Sequence, residues 1–180
     1  MFGQGWRLHY IILACFVSLI LLGGGHFLYQ KLLWEKALEK KLQSIPYVED
    51  VSLKKGKNKI EIKLGPTPDL KQTYLQVEEV LAESYHGSLP EVIIQDERSP
   101  VLVEVWEKSQ FTVYEAAARG TFTVMAEEIE KKSQNREVEA QLAMDGKRIY
   151  IALYKDNHFL YEIVPLIPLE VSKVKGESGV

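Results

Sequence analysis

Histidine and cysteine, the residues that most often act as nucleophiles, bases or metal ligands, are few in this chain. Of the four histidines, His9 and His26 lie in or beside an apolar amino-terminal segment. His86 follows a predicted helix, where an imidazolium suits the negative end of the helix dipole, and His158 follows a predicted turn. A single cysteine excludes a disulfide framework and a cysteine-based zinc finger. We therefore predict no catalytic and no metal-binding residue.

Carboxylates are numerous, but they fall on predicted helix faces. Glu78 and Glu79 share one helix, and Glu127, Glu128 and Glu130 share another. Their polar neighbours favour solvated faces over an acid–base pair or a calcium site. The sequence also lacks a Gly-rich phosphate loop, a G-x-S-x-G elbow and an H-E-x-x-H motif. We expect a protein that is not an enzyme and that binds no cofactor.

Lysines mark a predicted β-hairpin, in which Lys57 lies in the turn and Lys59 lies on the strand that follows. The full set is Lys54, Lys55, Lys57, Lys59 and Lys63. These side chains could meet anionic lipid headgroups or an acidic partner, or they could protect an exposed edge strand from pairing, which is the favoured interpretation. No aromatic residue is interleaved with them and the net charge is −3, so nucleic acid is excluded as a partner.

Tyrosines provide the second part of the candidate interaction surface. Tyr150 and Tyr154 share one face of a predicted strand, and Ile149, Ile151 and Leu153 share the other. If the aliphatic face is the core, the tyrosines are exposed and form a recognition surface. A neighbouring long helix could cover them instead, and the sequence leaves both arrangements open. The first arrangement gives an alternative function, a module that binds a ligand or an envelope polymer.

Residues 8–30 contain no Asp, Glu, Lys or Arg. At about 1.5 Å per residue, a helix of this length spans a hydrocarbon core roughly 30 Å thick. Aromatic side chains flank both ends, as is typical of bilayer boundaries; they are Trp6, Tyr10, Phe27, Tyr29 and Trp34. We expect a retained transmembrane helix, a signal-anchor, with cleavage near Gly23 and Gly25 as the alternative.

Two signals for membrane orientation conflict. The lysines after the span favour a cytoplasmic domain by the positive-inside rule; they are Lys31, Lys36, Lys40 and Lys41. A short polar head, residues 1–7, followed by one span and a large carboxyl-terminal domain is typical of an outward-facing single-pass protein. We expect an extracytoplasmic domain at the cell membrane, with the bilayer as partner and the orientation open.

Apolar periodicity divides the polar part of the chain into elements. An amphipathic helix leads to Pro46, and a hairpin with its turn at residues 55–58 follows. Thr67 is predicted to cap a helix that begins at Pro68 and runs toward Gly87. Residues 92–94 then form a short strand, which we expect at the centre of the sheet.

A long helix and a meander fill the second half. Ser99-Pro100 opens the helix, and Gly120 is the point at which it would break. Residues 101–106 are β-branched enough for a strand, but a helix is favoured. The predicted buried stripe is Phe111, Tyr114, Ala118, Phe122, Met125 and Ile129. A three-stranded antiparallel meander follows, with turns at Asp145-Gly146 and at Asp156-Asn157.

From Glu35 to Asp96 the predicted order is helix, strand, strand, helix, strand, after a membrane span. This order resembles the ring-building modules of type III secretion and sporulation-channel membrane proteins. The resemblance rests on topology and on the preceding span, and it implies a module that packs side by side on a membrane through its helix and sheet surfaces.

These observations predict an α+β fold in four parts: a polar head (1–7), a transmembrane helix (8–30), a soluble α+β domain (31–166) and a flexible tail (167–180). The predicted function is non-enzymatic. The anchored domain would mediate assembly in the cell envelope, either as a homo-oligomer or with an envelope-complex protein.

Overall fold

A computed structural model describes residues 33–54, 59–85 and 87–166, together with Ser18. These residues form four helices and six strands. In chain order they are α1 (residues 33–43), β1 (Val48–Lys54), β2 (Lys59–Leu64), α2 (Leu70–Ser84), β3 (Glu91–Gln95), α3 (Pro100–Arg119), α4 (Phe122–Gln134), β4 (Glu139–Met144), β5 (Arg148–Lys155) and β6 (His158–Pro165). The predicted α+β fold class is therefore confirmed.

The predicted polar head, transmembrane helix and tail lie outside the described residues. None of the helices in the described ranges is both long enough and apolar enough to cross a membrane.

The first sheet has the order β1-β2-β3, with β1 antiparallel and β3 parallel to β2. The predicted succession of helix, strand, strand, helix and strand is confirmed. The prediction that residues 92–94 form a central strand is wrong. The α2 crossover returns the chain to the side of β2 that β1 leaves free, and β3 therefore lies at the edge.

The second sheet is the predicted antiparallel meander, with the order β4-β5-β6. Its first turn is stabilised by the Asp145 carboxylate, which accepts hydrogen bonds from the backbone N–H groups of Lys147 and Arg148 at 2.7 and 2.8 Å. The second turn is at Asp156-Asn157, as predicted.

Both faces of the second sheet are buried, by different parts of the chain. Side chains of one face pack with α3 and α4; among them are Ile149, Ile151, Leu153, Leu160 and Val164. Side chains of the opposite face pack with α1, α2 and the first sheet; they are Tyr150, Ala152, Phe159 and Tyr161. The meander is therefore the middle layer of the molecule.

Residues 101–106 are helical, as favoured, within α3. Ser99 is the N-cap and its hydroxyl accepts a hydrogen bond from Leu102 N at 3.4 Å, while Pro100 occupies the first turn, where no N–H is needed. The predicted break is also confirmed, because Gly120 ends α3 in the left-handed conformation with φ of 76°.

The predicted buried stripe is wrong in its α3 part. Phe111 and Tyr114 are exposed, whereas Met125 and Ile129 of α4 are buried as expected. The buried face of α3 carries Leu102, Val105, Val113 and Ala116 instead. The predicted stripe crosses Gly120, where α3 ends. Its residues therefore lie on two different helices and do not share one helix face.

The start of α2 also differs from the prediction. Asp69 is the N-cap, and its carboxylate accepts from Gln72 N at 2.9 Å. Thr67 is buried in the loop between β2 and α2, where its hydroxyl lies 2.9 Å from that of Thr73. Its hydrogen bonds therefore serve the loop, and Asp69 satisfies the first turn of the helix.

Replacing Gly120 with alanine tests the helix break. A Cβ at a left-handed position costs about 1 kcal/mol, and we expect the free energy of unfolding to fall by about that amount. Gly146→Ala is the control, because Gly146 is not left-handed and has nothing within 4 Å of an added Cβ. Chemical denaturation measures both variants, and equal losses would contradict the assignment.

Candidate functional site

The tyrosine face of the meander is an internal contact. Tyr150 is 1% exposed and Tyr154 is half-buried. The expectation that this face is exposed is wrong. The alternative, that the long helix α3 covers it, is also wrong. α3 lies on the opposite face of the sheet. Tyr74 of α2 packs against Tyr150, with the ring centroids 5.9 Å apart.

Two tyrosine hydroxyls fasten the loop between β2 and α2. Tyr161 donates to Gly65 O at 3.0 Å and accepts from Thr67 N at 2.9 Å. Tyr154 donates to Thr67 O. Burial raises the pKa of both Tyr154 and Tyr161, so the neutral phenols are retained. The polar tips of these side chains satisfy backbone groups that the contact between the sheets buries.

A second polar cluster joins α2 to β5. The Arg148 guanidinium makes a bidentate contact to the Glu78 carboxylate, at 2.8 and 2.5 Å, and lies 5.1 Å from the centre of the Tyr74 ring. The side chains of Arg148 and Glu78 are only 21% and 24% exposed. The prediction that Glu78 belongs to a solvated face is therefore wrong, because its partner Arg148 lies on β5, which is remote from α2 in sequence.

Tyr150 closes this cluster. Its hydroxyl donates to Asp145 Oδ2 at 2.7 Å. Burial raises the pKa of Tyr150 to about 12, and the hydrogen bond to Asp145 adds to the rise. The side chain is therefore a neutral hydrogen-bond donor in the folded protein.

The lysines of the hairpin do not join the tyrosines in one surface. Lys57 lies outside the described residues. Lys59 lies on β2 and pairs with Glu91 at 2.8 Å, and Lys63 pairs with Glu49 at 2.9 Å. In the described part of the hairpin, these lysine charges are matched by glutamates on neighbouring segments.

His158 is the only histidine among the described residues. His158 is exposed, and it lines a cleft of about 280 Å³ with Glu49, Glu97 and Asp156. No group of three or more His, Cys, Asp or Glu side chains in residues 33–54, 59–85 and 87–166 is placed to hold a metal ion. His86 lies outside these ranges.

The feature that sequence reasoning missed is an exposed aromatic face on α3. Phe111 is 78% exposed and Tyr114 is 52% exposed; with Ala118 they form a stripe that we call the α3 aromatic face. On α4, Val124 is 56% exposed. A signal for this face exists in the sequence, because the alternative stripe through Val105, Ser109, Val113 and Ala116 has equally good helical spacing.

Comparisons of the chain with protein families, with curated proteins and with solved structures give no match.

The two hydrogen bonds of Tyr161 can be removed without changing its ring. Tyr161→Phe leaves Gly65 O and Thr67 N–H buried without their partner, and we expect a loss of about 2 kcal/mol in the free energy of unfolding. Tyr114→Phe is the matched control and should change stability by less than about 0.5 kcal/mol. Urea denaturation measures both, and an unchanged Tyr161→Phe would refute the anchoring role.

The raised pKa of Tyr150 predicts a pH dependence. The folded state holds this proton more tightly than the unfolded chain, whose ordinary tyrosine pKa is 10.0. The resulting stabilisation is complete below about pH 10 and is lost as the pH rises toward about 12. Between pH 9 and pH 11, we expect the chain to lose about 1 kcal/mol more than Tyr150→Phe loses. Parallel denaturation profiles for the two proteins would argue against it.

Proposed function

We propose that this chain is a non-enzymatic, single-pass membrane protein whose α+β domain assembles with copies of itself on the surface of the cell envelope. The observation that carries the proposal is the α3 aromatic face. Phe111, at 78% exposure, is the most exposed of the large apolar side chains described. A contact that covered this ring would gain hydrophobic free energy, which scales with the area removed from water.

The position of this face suits assembly. The buried side of α3 packs on the second sheet, so Phe111 and Tyr114 point away from the core. A partner can cover them without disturbing internal contacts. Aromatic side chains combine large area with few rotatable bonds, which is why they dominate the centres of protein interfaces.

The membrane part of the proposal comes from residues 8–30, which lack Asp, Glu, Lys and Arg. A tether raises the effective concentration of neighbouring domains, so a modest surface suffices for association on a membrane. The order α1-β1-β2-α2-β3 further supports side-by-side packing through its likeness to ring-building modules, and an extracytoplasmic domain remains our expectation.

Ligand binding through the meander has lost its main support. That alternative requires an exposed tyrosine face, and Tyr150 and Tyr161 are 1% and 2% exposed. Their hydroxyls are engaged by Asp145 and by the loop between β2 and α2. We therefore put forward assembly alone.

The test is chemical cross-linking of the full chain in native membranes. We expect multimers of the unmodified chain, and at least a roughly tenfold loss of them in Phe111→Asp, because an interface core does not tolerate an unpaired charge. Thr123→Asp is the matched control, since it adds the same charge at an exposed position of α4. It should cross-link like the unmodified chain.

Two results would contradict the proposal: monomers alone in the unmodified chain, or equal losses in the two variants. The anchor is checked separately in the same preparations. The full chain should resist alkaline extraction from the membrane, and a chain lacking residues 1–30 should be released.

A further inference from the structure

Strand β4 presents an open edge. It pairs with β5 on one side only, and in an antiparallel ladder every second residue turns its N–H and C=O away from its partner. The hydrogen bond from Asp145 N to Arg148 O, at 3.0 Å, identifies Asp145 as a residue that faces β5. The residues of β4 that face away from β5 therefore have even numbers. Ala140, Leu142 and Met144 therefore point their backbone groups outward.

The outward direction of Met144 is seen directly, because its carbonyl oxygen accepts a hydrogen bond from Lys71 Nζ at 3.0 Å. In the described part of the chain, no hydrogen bond outside the β4–β5 ladder involves the backbone of Ala140 or Leu142. Two residues of a six-residue strand thus offer both donor and acceptor to a further strand.

The opposite edge of the same sheet is closed. Phe159 N donates to Glu97 O at 3.0 Å, and Tyr161 N donates to Asp96 Oδ2 at 2.7 Å. Pro165, at the end of β6, has no N–H. Native sheets commonly block their edges in this way, so the open edge of β4 is the exception within its sheet.

Clefts flank β4 on both faces. The cleft on the α4 side is about 430 Å³ and is lined by Ala126, Glu130, Ser133 and Ala140, among others. The cleft on the α2 side is about 170 Å³ and includes Leu70 and Ala143 in its lining. Successive side chains of a strand point to opposite faces, so an added strand would place its side chains alternately into these two clefts.

Ser133 gives an independent sign that the α4-side cleft is incomplete. It is 1% exposed, and its Oγ is the one buried side-chain polar atom without a hydrogen-bond partner in the described part of the chain. An unpaired buried hydroxyl costs free energy, and such groups normally have a partner. A polar group that enters this cleft would supply one.

We propose that the carboxyl-terminal tail, residues 167–180 of the same chain, occupies this edge as a fourth strand antiparallel to β4. The sheet would then have the order of a Greek key, in which a fourth strand returns to lie beside the first of a meander. The inference concerns the interior of one molecule and does not depend on the proposed assembly.

Leu166 lies where this connection would begin. Leu166 N donates to Lys147 O at 2.7 Å, so the tail leaves β6 at the end of the sheet where β4 also finishes. Three strand spacings of about 4.8 Å separate β6 from the place beside β4. About five extended residues cover that distance, and enough of the tail remains to pair with β4.

The tail also has suitable chemistry. Val171 and Val174 are β-branched and lie three residues apart, so an extended chain directs them to opposite faces, one toward each cleft. Lys173 and Lys175 carry positive charge, and the α4-side cleft is lined by Glu130 and Glu139. The charges of the two surfaces are thus complementary.

Disulfide scanning of the full chain tests the proposal, with Cys15→Ser as the background. Gln141→Cys is combined in turn with a cysteine at each position from 171 to 178. Gln141 would sit at a close, non-hydrogen-bonded position of the new ladder, where cross-strand disulfides fit. We expect one strong intramolecular disulfide, at the tail residue directly opposite Gln141, because a disulfide needs Cα atoms within about 7 Å of each other. Yields should fall on both sides of that position.

Gln95→Cys on β3 is the matched control, since it replaces another glutamine on another edge strand, and it should give little cross-linking. Uniform cross-linking along the tail, none at all, or equal yields with the control would overturn the proposal. Disulfides between molecules would overturn it too, because they would mean that the tail pairs with a second copy.

Hydrogen exchange gives a readout without added cysteines. The amides of Ala140 and Leu142 should exchange at least roughly tenfold more slowly in the full chain than in a chain that ends at Leu166. Amides of β3 serve as the internal reference and should not change. Identical rates at Ala140 and Leu142 would overturn the proposal even if some disulfides form.

Discussion

The contact between the tyrosine face of the meander and the loop from β2 to α2 is the constraint on which the rest of the structure depends. The meander is apolar on both faces, and α3 and α4 cover only one of them, so the other face packs on the first half of the chain. The first sheet has three strands and the meander has three, and isolated small sheets need a packed face for stability. Tyr161 joins them by occupying the core with its ring while its hydroxyl pairs with Gly65 O and Thr67 N. Without those hydrogen bonds, buried backbone groups would be unsatisfied. The contact therefore depends on the buried ring and on its hydroxyl at the same time.

The same contact explains which parts of the fold the sequence predicts. Periodicity within a segment identified the helices, the hairpin and the meander, because each pattern is local. The order of strands is not local. β3 lies at the edge because the α2 crossover returns the chain to the free side of β2. The residue pattern of 92–94 contains no information about that position. The exposed side of α3 was missed for a related reason, since Gly120 changes the helix direction in the middle of an apparently continuous stripe.

The candidate site shows the limit more sharply. A tyrosine on a strand is compatible with either a wet or a buried face, because its ring is apolar and its hydroxyl is polar. Tyr150 is internal, where its hydroxyl donates to Asp145 and its ring packs on Tyr74. Glu78 meets the neighbouring Arg148 from a different element. The pairing of Arg148 with Glu78 joins residues far apart in the chain. Two charged residues on separately predicted elements carry no sequence sign that they meet.

Both faces of the meander are buried, so the surfaces available to a partner are the outer sides of the covering helices and the open edge of the sheet. α3 contributes its buried side to the meander and presents Phe111 and Tyr114 outward. The β4 edge opens between the two covering layers, where α4 and the start of α2 leave clefts. These two surfaces differ in chemistry. The first offers aromatic area and suits a folded partner, whereas the second offers backbone hydrogen bonds and suits an extended chain. Filling the edge from within the molecule would also remove a template for uncontrolled strand pairing, and it would leave the α3 aromatic face open to a partner.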